Sequence, residues 1–147
     1  MSGITAKDCY RYVRDSDCVM STEEFLQFNM SLLSVSAKAF MYAVFLGQRK
    51  DVRAFSFLGI AKDRGTPEEY AYARHLESAL AFTLSKDREE AVTIGKEVVG
   101  LARDLGDAEL EGDALTGISL IYEDMGDVKA SEEYRLQAAR VRGSEEA

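Results

Sequence analysis

Residues 87–127 decide the fold class, and they read DREEAVTIGKEVVGLARDLGDAELEGDALTGISLIYEDMGD. Apolar residues recur here at spacings of three and four, which is typical of amphipathic helices, and no alternating strand pattern interrupts them. Two four-residue segments, 104–107 and 124–127, each place a glycine where we expect a helix to end in a left-handed residue. An aspartate that can cap the next helix follows each glycine. The stretch therefore predicts an all-α fold of helices joined by tight turns.

Similar helix-boundary signals occur earlier in the chain. Residues 63–66 form a third such segment around Gly65, where we also expect a left-handed helix end. Ser21-Thr-Glu-Glu24 and Thr66-Pro-Glu-Glu69 have the pattern of N-terminal helix caps, as does Asp87. A calcium loop is disfavoured because the three glycine-containing segments lack acidic ligands at several alternating positions. Division at these signals predicts about seven antiparallel helices, over 5–15, 22–46, 51–64, 67–84, 88–105, 108–125 and 128–141.

The segment 22–46 is long for one helix of this chain, so two shorter helices are the alternative there. The whole chain has 147 residues, 46% of them hydrophobic and 30% charged. This length and composition predict one compact domain over residues 1–147 whose core needs no disulfide. The net charge of −8 argues against direct nucleic-acid binding, because phosphate contacts need a basic surface.

Neither end of the sequence predicts export or membrane insertion. The first residues lack the basic start and apolar core of a signal peptide. The longest apolar run, over 39–46, is far short of the roughly 20 residues that a membrane-spanning helix needs. We therefore expect a cytoplasmic protein that does not bind membranes. Cys9 and Cys18 are interpreted as reduced thiols, with a disulfide between them as the alternative.

Three sets of residues share one internal spacing, which indicates a repeat. In each set an aromatic residue is followed nine positions later by a small one, and then by residues at helical spacing. The second set lies 37 positions after the first, and the third lies 40 positions after the second. The sets are Phe45, Ala54, Leu58 and Ala61; Phe82, Ala91, Gly95 and Val98; and Tyr122, Ser131, Arg135 and Ala138.

On these residues, and on the stretches 89–107 and 114–127, the chain resembles the tetratricopeptide repeat (TPR) family. The resemblance implies a short right-handed superhelix of three hairpins over 33–141, with N-terminal helices over 1–32 and a tail over 142–147. The chain departs from the family pattern because it has no tryptophan and carries Gly95 and Arg135 where bulky residues are usual. Tyr42 also stands where a small residue is expected. A generic helical bundle is the alternative architecture.

The resemblance further implies a concave groove, lined by the first helix of each hairpin, that binds a peptide or a partner helix. The helix over 5–15, with Tyr10, Tyr12 and Val13, is the alternative occupant of this groove. Its expected lining consists mostly of small or apolar residues: Ser36, Ala39, Ala43, Leu46, Ala73, Leu76, Leu80, Thr83, Thr116, Leu120 and Glu123.

The aromatic residues suggest a homodimer. Phe55 and Phe57 are two positions apart, about 200° around a helix, so both cannot face one core. We therefore expect one of them to contact a second copy, within an interface over 22–60.

Catalytic patterns are absent from the sequence. His75 is the only histidine, which excludes a two-histidine metal site in one chain, and the paired glutamates fall in first helical turns, where acids complement the helix dipole. We predict a non-catalytic adaptor or regulatory module without cofactor or metal. The alternatives are a small-molecule sensor or an all-α enzyme that uses the groove, or a helper of a transcription regulator.

The charge is unevenly distributed along the chain. Residues 1–66 carry 9 basic and 7 acidic side chains, whereas residues 67–147 carry 9 and 19. The second part therefore has a net charge of −10, and it favours a partner with a basic segment.

Overall fold

The computed structural model describes residues 4–16, 19–27 and 32–146, and within these ranges it contains helices and no strand. The all-α prediction is confirmed. The chain divides into two compact units, Met1–Ala73 and Arg74–Ala147, and the division falls inside α5. The single domain over 1–147 stays a prediction. The helices are α1 (Ala6–Arg14), α2 (Thr22–Gln27), α3 (Val35–Gln48), α4 (Ala54–Asp63), α5 (Pro67–Thr83), α6 (Arg88–Leu105), α7 (Ala108–Asp124) and α8 (Val128–Glu146).

The helix caps lie where the sequence predicts them. The backbone N–H of Glu69 donates to Oγ1 of Thr66, and the Glu69 carboxylate accepts from the Thr66 N–H. Ser21 and Glu24 make the same reciprocal pair. Asp87 accepts from the N–H three residues later, at 3.0 Å. These caps satisfy backbone donors that the first turn of a helix leaves without intrahelical partners.

The single helix predicted over 22–46 is wrong and the alternative of two shorter helices is confirmed, because α2 and α3 are separate. Ser34 begins the second one: its Oγ accepts from the N–H of Ala37 at 3.0 Å. This cap was missed because Ser34 lies in a run rich in apolar and small residues, where its hydroxyl gives no distinctive pattern. Phe28, which belongs to the same predicted helix, lies outside the described residues.

Left-handed residues were predicted at three glycines, and the structure has them at two of these and at two lysines. Gly106 and Gly126 have φ values of 69° and 82°, as expected. Lys50 and Lys86, at φ values of 58° and 57°, adopt the same conformation without the freedom of glycine. Gly65 does not appear among the positive-φ residues of the described chain, so the prediction for it is wrong.

Gly65 is required by close packing instead. A Cβ added at this position would lie 2.7 Å from the carbonyl oxygen of Ala61 and 2.7 Å from Oγ of Ser36. The Ser36 hydroxyl itself donates to that carbonyl at 2.7 Å, joining α3 to the end of α4. A side chain at Gly65 would therefore displace a buried hydrogen bond of the first unit.

The last helix is longer than predicted, since α8 continues to Glu146 rather than ending at 141. The predicted tail over 142–147 is thus helical as far as the structure describes it. Gly143 does not adopt the left-handed conformation that ends a helix. Arg142 also holds this turn, because its guanidinium bonds to α7.

In the first unit, α3 packs on α4 and α1 packs on α3. The core there contains Met41 and Leu58, and the ring of Tyr10 lies 5.1 Å from that of buried Tyr72. In the second unit, α6 packs on α7 and α7 on α8, around buried Val98, Leu115 and other aliphatic residues. Over the described residues, we find no helix with both the length and the apolar character to cross a membrane.

Candidate functional site

The candidate site is a groove of about 700 Å³ between α7 and α8, here called the terminal groove. Three of the residues predicted to line a binding groove, Thr116, Leu120 and Glu123, lie on its α7 side. They recur at spacings of four and three, so they form one stripe of the helix. The full lining is Thr116, Ser119, Leu120, Glu123, Val128, Ser131, Glu132, Arg135, Ala138, Ala139 and Arg142.

The floor of the terminal groove is made of small residues that are bonded to each other. Oγ of Ser119 donates to the carbonyl oxygen of Ser131 at 2.8 Å, so α7 and α8 are joined directly. Ala138 is buried beside them. Small side chains allow two helix backbones to approach closely, and they leave space above them for a third helix.

One end of the groove is fixed by Arg142. Its Nη1 donates to Oγ1 of Thr116 at 2.8 Å, and its Nη2 donates to Oδ1 of Asp113 at 3.0 Å. The stem of the side chain lies over Gly112, where an added Cβ would be 3.4 Å from Cγ of Arg142. A charge that is held by two hydrogen bonds and a packed stem has little conformational entropy left to lose on binding.

The other end of the groove is apolar and exposed. Leu120 is 57% exposed and Val128 is 76% exposed. Between the two ends, Arg135 projects from α8 with a side chain that is 60% exposed, and its guanidinium is paired with Glu132. The terminal groove therefore combines an apolar end, a small-residue floor and ordered charges. Amphipathic helices bind to grooves of this kind.

The other residues predicted to line a groove are placed differently. Leu46 and Leu76 are half-buried, and Thr83 is exposed with its hydroxyl bonded to the Ala79 carbonyl of its own helix. Five others are buried and do not lie at a surface: Ser36, Ala39, Ala43, Ala73 and Leu80. The packing of α1 on α3 contributes to this burial in the first unit.

The α8 side of the terminal groove was missed at the sequence level. Val128, Glu132, Arg135 and Arg142 supply its charges and much of its exposed apolar surface. The repeat spacing contained the necessary signal, because it aligned Arg135 of α8 with Gly95 of α6. An arginine at the position of a buried glycine indicates a helix face that cannot pack against a neighbouring helix as closely as α6 packs against α7.

The aromatic residues of the first unit pack mainly on one another. The ring of Phe25 stacks on that of Phe45 at 4.5 Å, and the ring of Tyr42 stacks on that of Phe57 at 5.0 Å. Phe55 is half-buried. Phe57 thus has a partner within its own chain, and the homodimer over 22–60 stays a prediction. These rings surround an apolar cavity of about 360 Å³, lined by Thr22, Phe25, Tyr42, Phe45, Leu46, Arg53 and Phe57.

His75 and Cys9 are both uncharged at neutral pH. Burial lowers the pKa of His75 to about 4, against the opposing effect of the nearby Asp113 carboxylate. Burial raises the pKa of the free Cys9 thiol to about 12. Cys18 lies outside the described residues. Within residues 4–16, 19–27 and 32–146, no three His, Cys, Asp or Glu side chains come together as metal ligands.

No protein-family model matches the chain, and neither a curated protein nor a solved structure matches it.

Proposed function

We propose that this chain is a non-catalytic interaction module of the TPR type, which acts as an adaptor or regulatory subunit by binding a partner helix in its terminal groove. One observation carries the proposal. On the preceding hairpin, the face of α6 that corresponds to the α8 side of the terminal groove is covered by a helix, namely α7.

The correspondence between the two hairpins rests on matching hydrogen bonds. Oγ of Ser78 donates to the Ala91 carbonyl at 2.7 Å, as Ser119 does to Ser131. The caps match as well, since Asp87 and Asp127 both accept from the N–H three residues later. These pairs place α6 and α8 at an offset of 40, the value predicted from the repeat.

The first helices of the two hairpins are offset by 41 instead, as Ser78 and Ser119 show. The predicted pairing of Phe82 with Tyr122 at 40 is therefore wrong by one position. The reason is the connection between the helices: four residues join α5 to α6, whereas three join α7 to α8. With this correction, the α7 stripe of the terminal groove corresponds to a stripe of α5 that contains His75.

The close approach of α7 to α6 supports a helix as the ligand of the corresponding face of α8. A Cβ added at Gly95 would lie 2.8 Å from Cγ1 of Ile118, so α7 approaches α6 as closely as a glycine permits. Asp113 of α7 is also near enough to His75 to affect its pKa. Because α7 and α8 share the serine hydrogen bond and the aspartate cap of α5 and α6, a helix is the occupant that we expect in the terminal groove.

The test is a selection of helical ligands on the whole chain. We would select 17-residue helical peptides from a display library on the wild-type protein, and measure the binding of each to the variant Leu120→Arg. Leu136→Arg is the matched control, because Leu136 is also an exposed leucine but does not line the groove. The selected peptides are expected to lose at least tenfold in affinity with Leu120→Arg and less than twofold with Leu136→Arg.

Mapping by NMR provides the second readout of this experiment. Backbone shifts on peptide addition are expected at Ser119, Ser131 and Ala138, which form the floor of the groove. Peptides that bind equally well to both leucine variants, with shifts outside α7 and α8, would contradict the proposed function.

The aromatic cavity of the first unit favours a second candidate function, that of a small-molecule sensor. Its volume of about 360 Å³ lies within the range of ligand sites, and four aromatic rings line it. A rise in melting temperature with a nucleotide or metabolite would support this function, provided that it persists in the Leu120→Arg variant. A screen without such a rise favours the interaction module.

A further inference from the structure

The outward face of α8 differs from that of α6 at the positions that a covering helix contacts. With the offset of 40, Arg135 corresponds to Gly95, and Glu132 corresponds to Val92. Gly95 is buried beneath Ile118, and Val92 is only 6% exposed. On α8 both positions carry charges, and the two side chains are exposed and paired with each other.

The same replacement occurs at the far end of the helix. Ala102 is fully buried on α6, and the corresponding position on α8 is Arg142. A helix with the apolar face of α7 would therefore bring hydrocarbon against ordered charges in the terminal groove. Covering these charges with hydrocarbon removes them from water, and this desolvation disfavours binding even though each charge has an ion-pair partner on the chain.

The direction of the bound helix follows from the contacts between α6 and α7. Arg88, at the start of α6, pairs with Asp124 at the end of α7. Gly95 contacts Ile118, and Arg103 near the end of α6 pairs with Glu111 near the start of α7 at 2.8 Å. The two helices are thus antiparallel, in a register that aligns position 118 of α7 with position 95 of α6.

The guanidinium of Arg135 can bind a second carboxylate without losing its first. It has five N–H donors in a planar arrangement, and the Glu132 carboxylate accepts from Nε and Nη2. Since the side chain is 60% exposed and Arg135 lines the groove, a carboxylate on a bound helix can approach the donors that Glu132 does not use.

We propose that Arg135 is the residue that determines the specificity of the terminal groove. The partner is an amphipathic helix that runs antiparallel to α8 and carries a carboxylate at the position where α7 carries Ile118. This inference rests on the proposed function. It also implies that Arg135 rejects the apolar face of α7 from a second copy, so that copies of the chain do not stack end to end.

The experiment uses two synthetic peptides as probes, both helix-constrained by the same side-chain bridge. The first has the native α7 sequence, Ala108–Asp124. The second has the changes Ile118→Glu, to face Arg135, and Asp124→Leu, to face Val128, which corresponds to Arg88. On the wild-type chain, we expect the second peptide to bind at least tenfold more tightly than the first, as measured by fluorescence anisotropy.

The variant Arg135→Gly, which copies Gly95, provides the decisive comparison. The preference is expected to reverse, with the native α7 peptide binding more tightly than the changed one. Arg140→Gly is the matched control, because it places a glycine on the same helix at an exposed arginine outside the groove. This control is expected to keep the wild-type preference.

The possible outcomes separate the inference from the proposed function. If both peptides bind and the order of their affinities does not depend on Arg135, the inference is overturned while helix binding in the groove stands. If neither peptide binds the wild-type chain at millimolar concentration, the inference is overturned too. Failure of the proposed function itself is recognised independently, by library ligands that are insensitive to Leu120→Arg.

Discussion

Hairpins α5–α6 and α7–α8 share their internal construction but present opposite outward faces. Each is joined by a serine hydroxyl that donates to a carbonyl of the second helix, and each second helix begins at a capping aspartate. The outward face of α6 is apolar and covered by α7, whereas that of α8 is charged and open. In these two hairpins, the residues that join the helices are therefore separate from those that form the outward face.

The largest expected effect comes from side chains added at corresponding positions of the two faces. Gly95→Leu should lower the free energy of unfolding by about 3 kcal/mol, because the added atoms overlap Ile118 in a packed interface. Arg135→Leu should change it by less than about 0.5 kcal/mol, since that side chain is exposed. Urea denaturation of both variants measures the difference. Equal losses would show that the two faces are not distinct in packing.

An intermediate effect is expected from pH, through His75 on the covered hairpin. Its folded pKa of about 4 lies below the unfolded value of about 6.5, so the fold favours the neutral imidazole. This contribution is complete above pH 6.5 and is lost as the pH falls toward 4. Between pH 7 and pH 5, we expect it to lower the free energy of unfolding by at most roughly 2 kcal/mol.

The control for the pH effect is the variant His75→Gln, which has no titrating group at this position. The corresponding residue of the terminal groove is Thr116, which does not titrate either. Urea denaturation at the two pH values should therefore show a smaller loss for His75→Gln than for the wild type. The same loss in both proteins would assign the pH dependence to the carboxylates instead.

The smallest expected effect concerns the turns that precede α6 and α8, where Lys86 and Gly126 are left-handed. Gly126→Ala should lower the free energy of unfolding by about 1 kcal/mol, because the added Cβ is strained at this φ. Lys86→Gly should change it by less, since the relief of strain is offset by the greater freedom of glycine in the unfolded chain. Melting temperatures of the two variants test this, and a large stabilisation by Lys86→Gly would contradict it.

Local sequence signals were sufficient to predict the all-α fold class and most helix boundaries. A cap such as Thr66 with Glu69 acts within four residues, so the sequence contains the whole interaction. Gly65 was misinterpreted because its role depends on Ser36, which is distant in sequence. Lys86 was not recognised as a left-handed residue, because lysine has no intrinsic preference for that conformation and the flanking helices impose it.

The α7 side of the terminal groove was predictable because its residues lie close together in the sequence. Thr116, Leu120 and Glu123 lie on one stripe of a single helix, and the resemblance to the TPR family implied that this stripe lines a groove. The contribution of α8 depends on how that helix is aligned with α7, and the serine bond between them fixes this alignment. Arg135 could have been recognised from the offset of 40 alone, by asking which repeat positions change from buried to charged residues.

The burial of Cys9 allows the two units to be observed separately. Cys9 is completely covered, and its high pKa keeps it in the unreactive thiol form, so an alkylating reagent can modify it only after α1 moves away. Residues 74–147 contain no cysteine. In a Cys18→Ser background, the rate of alkylation therefore reports the opening of the first unit alone, as hydrogen exchange would report the opening of single amides. One thiol thus gives a kinetic measure of the separation of α1 from the first unit, while the terminal groove is left unlabelled.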